Sequence, residues 1–290
     1  MRPDEPRRDA PRIRPLTTTL LSGIRAVTLD FGNTLVPVRR EALRAVVNTT
    51  AVAVSDALGL PGADSFLAIW RDERERQFRE EVPRFREVDL GQRAMRVLAR
   101  LRGFEQKADE PWDDPGAAER SKPPEIDLII RTYSDAFVAT VEAPPQSRRV
   151  LEQLATHGFQ VAILSNWPLA STIDRVAEAA GWLPHLSGVF VSQRIGTIKP
   201  HRAIFAHVET SLGRRPGEIL HVGDDWAADI VGANGAGWRT AYLRDRQLDT
   251  SLPTSVRGAG IEPDLELDDL ADLPGRLADP PPLHSPDGGT

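Results

Sequence analysis

The sequence has no cysteine among its 290 residues. This absence excludes disulfide bonds and thiolate metal sites. The six histidines are scattered along the chain and show no zinc-binding spacing. Any bound metal is therefore expected to be a hard cation with oxygen ligands.

Long apolar runs and an excess of positive charge are also missing. The formal net charge of -6 gives no overall attraction to nucleic acid or to an anionic membrane. No stretch approaches the ~20 apolar residues of a membrane helix, and no GxxxxGK[ST] loop for nucleoside triphosphates is present. We expect a cytoplasmic protein that acts on a small molecule, with no nucleic-acid or membrane partner. Neither the substrate's identity nor the oligomeric state follows from the sequence.

The two ends of the chain differ in composition from the rest. Both are rich in proline and charge and poor in large apolar residues, a composition that cannot bury enough apolar surface to fold. The sequence therefore predicts flexible tails at residues 1–22 and 276–290.

Short apolar runs alternate with helical patterns through most of the remaining chain. Alternation of this kind favours an α/β fold with a doubly wound parallel sheet. The predicted strands lie at residues 24–31, 160–164, 188–191, 219–222 and 239–243.

About 100 residues between the first two predicted strands show helical spacing, far more than one crossover connection needs. Four amphipathic stripes predict an inserted α-helical domain at 41–142, so that 23–40 and 143–275 form the α/β core. Within the insertion, Gly59 is placed to end the first helix. The polar 105–124 stretch predicts an exposed loop, and the charged run at 71–81 predicts an exposed helix face.

Polar residues follow several of the predicted strands. In an open parallel sheet, ligands bind beyond the carboxyl ends of the strands, so these residues are expected to meet at one edge. The set comprises Asp30, Gly32, Asn33 and Thr34 after the first strand, Ser165 and Asn166 at the second, Asp224 and Asp225 at a later one, and Lys199 between them.

The segments DFGNTL, ILSN, KP and GDDWAAD, in this order, resemble the four motifs of the haloacid dehalogenase (HAD) superfamily. Each motif alone is weak, but four in order at suitable spacing are specific. The resemblance runs from about Ile24 to Asp268, and the helical insertion is similar to the family's first type of cap. It implies a hydrolase with a HAD-like Rossmannoid core.

The resemblance also implies a nucleophile and a magnesium site. Asp30 would be the nucleophile, and the side chains of Asp30 and Asp224, with the backbone carbonyl of Gly32, would bind Mg²⁺. Mg²⁺ prefers oxygen ligands and keeps several waters, which agrees with few direct carboxylates. Asp225 and Asp229 complete the predicted metal site by orienting metal-bound waters and Lys199.

The remaining residues of the set are expected to bind the phosphate and the substrate. Lys199 would neutralise the nucleophile and the transferring group, while Ser165 and the backbone around Asn166 would donate hydrogen bonds to phosphate oxygens. The predicted phosphate- and substrate-binding residues are Ser165, Asn166, Asn33, Thr34 and Trp167, and the predicted catalytic residues are Asp30 and Lys199.

Gly32 departs from the family pattern. Family phosphatases usually carry an aspartate there that acts as general acid and base, a contribution typically worth 10²- to 10⁴-fold in rate. The favoured interpretation is a Mg²⁺-dependent phosphatase that forms an aspartyl-phosphate on Asp30. Gly32 leaves two alternatives open: a dehalogenase-like hydrolase that attacks carbon, and a binding module without turnover.

Simpler interpretations also exist for several residues. Ser165 and Asn166 resemble a helix N-cap ahead of Pro168, and Gly223 fits a turn. Arg39 and Arg40 are more simply solvated than substrate-binding. The aromatic residues of the insertion fit the core of a helical bundle better than a substrate site; they are Phe66, Trp70, Tyr133 and Phe137.

Overall fold

The computed structural model describes residues 21–106, 112–244 and 249–277. Within them, the strands form one six-stranded sheet in the order β3-β2-β1-β4-β5-β6, and every pairing is parallel. The predicted doubly wound α/β class is confirmed. The predicted tails fall almost entirely outside the described residues. The strands are β1 Ala26–Leu29, β2 Gln160–Ser165, β3 Gly188–Val191, β4 Ile219–Gly223, β5 Arg239–Leu243 and β6 Leu265–Leu267.

Strand β1 lies in the middle of the sheet and is buried along its whole length. Its last residue, Leu29, pairs with Ile163 on β2 and with Val222 on β4. The three strands therefore end at the same edge, which brings the residues that follow them together. β6 was not predicted: it has three residues and lies at the side of the sheet next to β5.

Among the described residues, five α-helices and a 3₁₀ turn at Val82–Arg84 lie between β1 and the helix that precedes β2. Left-handed Gly59 ends the first of them, as predicted, and the first and last pack against each other. Phe66, Trp70 and Phe137 are buried in the hydrophobic core, as predicted. The helices are α1 Arg40–Leu58, α2 Ala63–Glu81, α3 Leu90–Leu101, α4 Asp114–Ala118 and α5 Pro123–Thr140.

The prediction of an exposed loop at 105–124 is wrong in part. Helix α4 lies within this stretch and packs against α3. Asp114 at its start accepts from Arg96 Nε at 3.0 Å, and Trp112 stacks on Phe104. Residues 107–111 lie outside the described part of the chain.

The prediction of an exposed face at 71–81 is also wrong in part. Glu73, Arg76 and Gln77 are buried on α2. Glu73 pairs with Arg100 at 2.7 Å, and Gln77 accepts from Arg93 Nε at 2.9 Å. The partners of Glu73 and Gln77 come from α3, and Arg76 pairs with Glu80 on α2 itself at 2.8 Å. These pairings offset the cost of burying polar and charged groups.

The remaining helices alternate with the strands and cover the sheet. Gly213, in the left-handed conformation, ends the helix that precedes β4, as predicted. No helix among the described residues is long and apolar enough to cross a membrane; the cytoplasmic location stays a prediction. These helices are α6 Pro145–Thr156, α7 Ala170–Ala179, α8 Ser192–Ile195, α9 Arg202–Leu212, α10 Gly232–Gly235 and α11 Leu273–Arg276, and a π-helical turn spans Trp226–Val231.

Candidate active site

A buried lysine connects the polar residues at the carboxyl edge of the sheet. Lys199 Nζ donates to Asp30 Oδ1 at 2.8 Å, to Asp229 Oδ1 at 2.6 Å and to Leu164 O at 2.9 Å. Burial alone disfavours the charged ammonium, but Asp229 and Asp30 overcome this effect and raise the pKa of Lys199. Lys199 therefore keeps its positive charge beside Asp30, and the sequence predicted this position for the lysine.

Asp30 follows β1 directly, and its backbone N–H donates to Val222 O at 2.9 Å. Burial raises the pKa of Asp30 to about 6, against the lowering effect of Lys199. Oxygens of Asp30, Asp224 and Asp229 lie within 4.8 Å of one another. Burial and the charges of Asp30 and Asp229 raise the pKa of Asp224 well above its ordinary value. A cation placed among these carboxylates would relieve that repulsion.

Asp229 is held from several sides. Its Oδ1 accepts from Lys199, and its Oδ2 accepts from the Asp225 backbone N–H at 2.9 Å. His221 Nε2 lies 3.1 Å from Asp229 Oδ1. Burial opposes ionisation, but Lys199 and His221 outweigh it and lower the pKa of Asp229. Since both its oxygens already have protein partners, Asp229 is better suited to positioning Lys199 than to binding a metal directly.

His221 also belongs to this network, although the sequence pattern did not indicate it. It lies on β4 opposite Thr28 on β1 and is fully buried. Its Nδ1 lies 2.8 Å from Thr28 Oγ1. Burial and the Lys199 charge lower the pKa of His221, which favours the neutral imidazole. The available signal was a pair of polar residues inside two apolar strands.

Asp224 and Asp225 differ in their contacts although they are adjacent. Asp224 Oδ1 accepts from Thr34 Oγ1 at 2.9 Å. Asp225 Oδ1 accepts from the Ala228 backbone N–H and from Ser255 Oγ, both at 2.8 Å, so it caps the π-helical turn. Asp225 is outside the three-carboxylate group, and its role at a metal stays a prediction.

Ser165 and Asn166 also have different contacts. Asn166 Nδ2 donates to the Lys199 carbonyl at 3.0 Å, and the Lys199 N–H donates to Asn166 Oδ1 at 2.7 Å. Ser165 Oγ is buried without a hydrogen-bond partner within the described residues, although it lies close enough to Asp30 to lower that residue's pKa. The prediction that Ser165 or Asn166 is a helix N-cap is wrong, because the helix begins later, at Ala170, and Leu169 is its N-cap.

Asn33 shapes the turn after Asp30. Its backbone is left-handed, with φ of 59°, a conformation that asparagine tolerates better than most residues. Its N–H donates to Val36 O at 2.7 Å, and its Oδ1 accepts from the Val38 N–H at 3.1 Å. Asn33 thereby fixes the path of the chain beside the nucleophile position.

Leu252 fills the space next to Gly32. A Cβ atom at position 32 would lie 2.6 Å from Leu252 Cδ1 and 3.5 Å from Trp167 Cζ3. Leu252 belongs to the 249–257 segment, which Arg40 anchors through Asp249 at 2.7 Å. The place where the family usually has a proton-transferring carboxylate is therefore occupied by an apolar side chain.

A cavity of about 340 Å³ opens above this edge and is bounded by the inserted helices and the 249–257 segment. Trp167 lines it, as predicted, and packs edge-on against Phe31 and Phe137. Tyr133 belongs to the buried core, as predicted, and stacks on Trp70; it also lines the cavity. The volume is in the range of small-molecule sites.

The two arginines after the first motif do not line this cavity. Arg39 is exposed, as predicted. Arg40 is half-buried, and its guanidinium binds Asp249 and also donates to Thr250 O at 2.7 Å. Its assignment as a solvated residue is therefore wrong: it anchors the 249–257 segment.

Close packing requires glycine at position 223, whereas the sequence predicted that a turn requires it. A Cβ atom there would lie 2.1 Å from Asp229 Oδ2. We expect Gly223→Ala to lower the free energy of unfolding by about 1–3 kcal/mol, because Asp229 is buried and cannot move freely. Denaturant unfolding measures this. Gly235→Ala is the control, since a Cβ there meets nothing within 4 Å; equal stability of both variants would contradict the expectation.

Comparison with known proteins extends these observations. Residues 24–237 match the family model described as haloacid dehalogenase-like hydrolase. The ribulose-1,5-bisphosphate 5-phosphatase of Halopiger xanaduensis is 29% identical over 143 residues, which cover 49% of this chain and 59% of that protein. The glyceraldehyde 3-phosphate phosphatase of Methanopyrus kandleri is 28% identical over 160 residues, 54% of this chain and 67% of that protein. The aligned segments thus span about three fifths to two thirds of these relatives.

A solved structure matches over a larger share of the chain. The 2-haloacid dehalogenase of Pseudomonas syringae superposes with a TM-score of 0.61, at 20% identity, over 88% of this chain and 98% of that one. At this level of identity the likeness concerns the fold. The shared fold extends over most of the chain.

Proposed function

Because the chain belongs to the haloacid dehalogenase-like hydrolase family, we propose that it hydrolyses a small phosphate monoester with Mg²⁺ as cofactor. The observation that carries the proposal is the Asp30 carboxylate, which is paired with the buried Lys199 at 2.8 Å and lines the cavity. The two relatives described above are named for a bisphosphate and a sugar phosphate, and these names support this choice of chemistry.

The proposed reaction has two steps. An Asp30 oxygen attacks phosphorus, the bond from phosphorus to the alcohol oxygen breaks, and the alcohol leaves. Water then attacks the phosphorus of the aspartyl-phosphate, which releases inorganic phosphate and restores Asp30. Lys199 stays protonated and stabilises negative charge on Asp30 and on the transferring group. Because Gly32 has no side chain, water is the proton donor for the leaving alcohol.

The donor set fits Mg²⁺. It consists of oxygen ligands alone, and the raised pKa values of Asp30 and Asp224 reflect burial that a cation would compensate. Asp30 and Asp224 would bind the ion directly, with the predicted Gly32 carbonyl as a third ligand. Asp229 and Asp225 would support this set through the contacts described above. Bound Mg²⁺ supplies positive charge that offsets repulsion between the nucleophile and the phosphate.

We further propose that residues 41–142 act as a cap over a core formed by 23–40 and 143–275. Contacts between α5 and α7 connect the two parts, including Arg175, which pairs with Asp135 at 2.7 Å. The cavity is lined by residues of both parts. Such a cap would exclude water and select the substrate.

Phosphate release from a panel of small phosphate esters, with Mg²⁺ and with a chelator, tests the proposed function. We expect turnover that depends on Mg²⁺. Chloride release from 2-chloro acids without metal, measured in parallel, would instead favour the dehalogenase alternative. Binding of phosphate esters without release of either product would favour the binding module.

Asp224→Asn should separate metal binding from catalysis. Mg²⁺ at 100 times its dissociation constant raises the free energy of unfolding by about 2.7 kcal/mol, and we expect the corresponding increase in melting temperature to disappear in this variant. Without Mg²⁺ the variant should be at least as stable as the wild type, because the repulsion from Asp30 and Asp229 is removed while an asparagine oxygen can still accept from Thr34. Asp127→Asn, at an exposed position on α5, is the control. An unchanged Mg²⁺ effect in Asp224→Asn would contradict the assignment.

A further inference from the structure

Two arginines on the inserted helices line the cavity without a carboxylate partner. Arg74 on α2 and Arg93 on α3 are both lining residues. The structure has many arginine–carboxylate pairs, yet within the described residues neither of these arginines has a carboxylate within 4 Å. A buried arginine such as Arg93 usually has such a partner. The missing carboxylate is therefore the feature to explain, and a ligand could supply it.

Arg93 is the more confined of the two. Its side chain is 4% exposed, and its Nη2 is a buried donor without a hydrogen-bond partner in the described part of the chain. The guanidinium is fixed by Gln77, which accepts from Nε at 2.9 Å, and by the Trp70 ring, 5.2 Å away. A buried donor left unpaired costs free energy unless a ligand satisfies it.

The charges around Arg93 leave it protonated. Burial, with a contribution from Arg74, lowers the pKa of Arg93 to about 10, while Tyr133, Glu87 and Glu73 act in the opposite direction. A pKa near 10 still means a full positive charge at neutral pH. The cavity wall therefore carries two positive charges close enough to repel each other.

Within the described residues, the hydrogen bonds that the nearby acids make go to groups other than these two arginines. Glu87 lines the cavity, but its Oε1 accepts from the Val88 N–H and its Oε2 from Ser192 Oγ. Glu73 Oε1 pairs with Arg100, while Glu73 Oε2 is buried without a hydrogen-bond partner among the described residues. In the part of the chain that the structure describes, Arg74 donates to a neutral group, the Ser251 carbonyl at 3.1 Å, and its guanidinium lies over the Phe78 ring. The intramolecular acids thus leave both guanidinium groups able to bind an anion.

We propose that Arg93 and Arg74 bind a second anionic group of the substrate, so that the substrate is a phosphate ester whose alcohol part carries a carboxylate or another phosphate. The inference rests on the proposed function and narrows its substrate class. The ester phosphate lies at Asp30 and Lys199, and the second anion lies at the guanidinium groups, which bind carboxylate and phosphate oxygens in the same geometry. The apolar walls between these two ends contact the body of the substrate.

Three matched esters test the proposal: propyl phosphate, 3-phosphooxypropanoate and propane-1,3-diyl bisphosphate. We expect the wild type to prefer at least one charged ester over propyl phosphate by 10-fold or more in kcat/KM. In Arg93→Met and Arg74→Met that preference should fall about 10- to 100-fold, as expected for loss of one charge-assisted hydrogen bond. The two charged esters distinguish a carboxylate from a phosphate.

Arg71→Met is the matched control, because Arg71 is an exposed arginine on α2 outside the cavity lining. It removes the same charge and should keep the wild-type preference. If Arg93→Met fails to fold, Arg74→Met still tests the site, since Arg74 is only half-buried. Equal kcat/KM for all three esters in the wild type, or the same preference in the two variants, would overturn the proposal.

A binding measurement separates this inference from the proposed function. Calorimetry with Mg²⁺ on Asp30→Asn, alone and combined with Arg93→Met, gives affinities for the three esters without turnover. Hydrolysis of propyl phosphate without preference for a charged ester would leave the phosphatase proposal standing and overturn the second anion site. If a charged ester binds more tightly than propyl phosphate and Arg93→Met removes this difference, the second anion site is supported even if no ester is hydrolysed. If Arg93→Met leaves the affinities unchanged, the second anion site is overturned.

Discussion

Asp30→Asn is expected to reduce phosphate-ester hydrolysis by a factor on the order of 10³ or more, because the amide is a far weaker nucleophile than a carboxylate. The fold should persist. Lys199 keeps Asp229 Oδ1 at 2.6 Å and the Leu164 carbonyl at 2.9 Å as partners, so its charge is not left unpaired. Steady-state phosphate release measures the rate, and thermal unfolding measures stability.

Asp56→Asn serves as the control for Asp30→Asn, because Asp56 is exposed on α1 and loses the same charge. Acid quenching of the wild type during turnover should also trap phosphate covalently on the protein, and the trapped phosphate should be absent from Asp30→Asn. Full activity in Asp30→Asn would contradict a covalent mechanism at this residue. Loss of both activity and the cooperative unfolding transition would indicate a structural role instead.

The location of the candidate site was predictable because the carboxyl ends of parallel strands meet at one edge. Asp30, Ser165, Lys199 and Asp224 therefore come together as the motif order suggested, although their chemical roles stay predictions. The five longer strands were predictable for a similar reason: they are apolar runs bounded by turn signals. β6 has only three residues, too few for a periodic signal.

Tertiary pairing explains most of what the sequence did not indicate. Glu73 and Gln77 look like members of an exposed charged face until α3 supplies Arg100 and Arg93 as partners. His221 looks like an interruption of an apolar strand until β1 places Thr28 opposite it. In each case the partner is distant along the chain, so local pattern cannot reveal it.

Leu252 is the clearest example of this limit. In the sequence alone, Gly32 indicates only the loss of a proton-transferring group. In the structure, Leu252 reaches Gly32 from a segment about 220 residues later and packs against the core. Leu252 therefore packs where a side chain at position 32 would lie, so the glycine and the leucine form one packing arrangement.

This arrangement predicts that Gly32→Asp alone raises hydrolysis only slightly, because its Cβ would lie 2.6 Å from Leu252 Cδ1. Combined with Leu252→Ala, the new carboxylate gains the space to serve as general acid and base, and we expect an increase of about 10²-fold in kcat. Gly32→Asn with Leu252→Ala is the matched control, since it has the same shape without proton transfer. A similar increase in that control would mean that access to the cavity, and not acid–base catalysis, limits the rate. No increase in the aspartate double variant, with the fold intact, would argue that Gly32 serves a chemistry other than phosphate-ester hydrolysis.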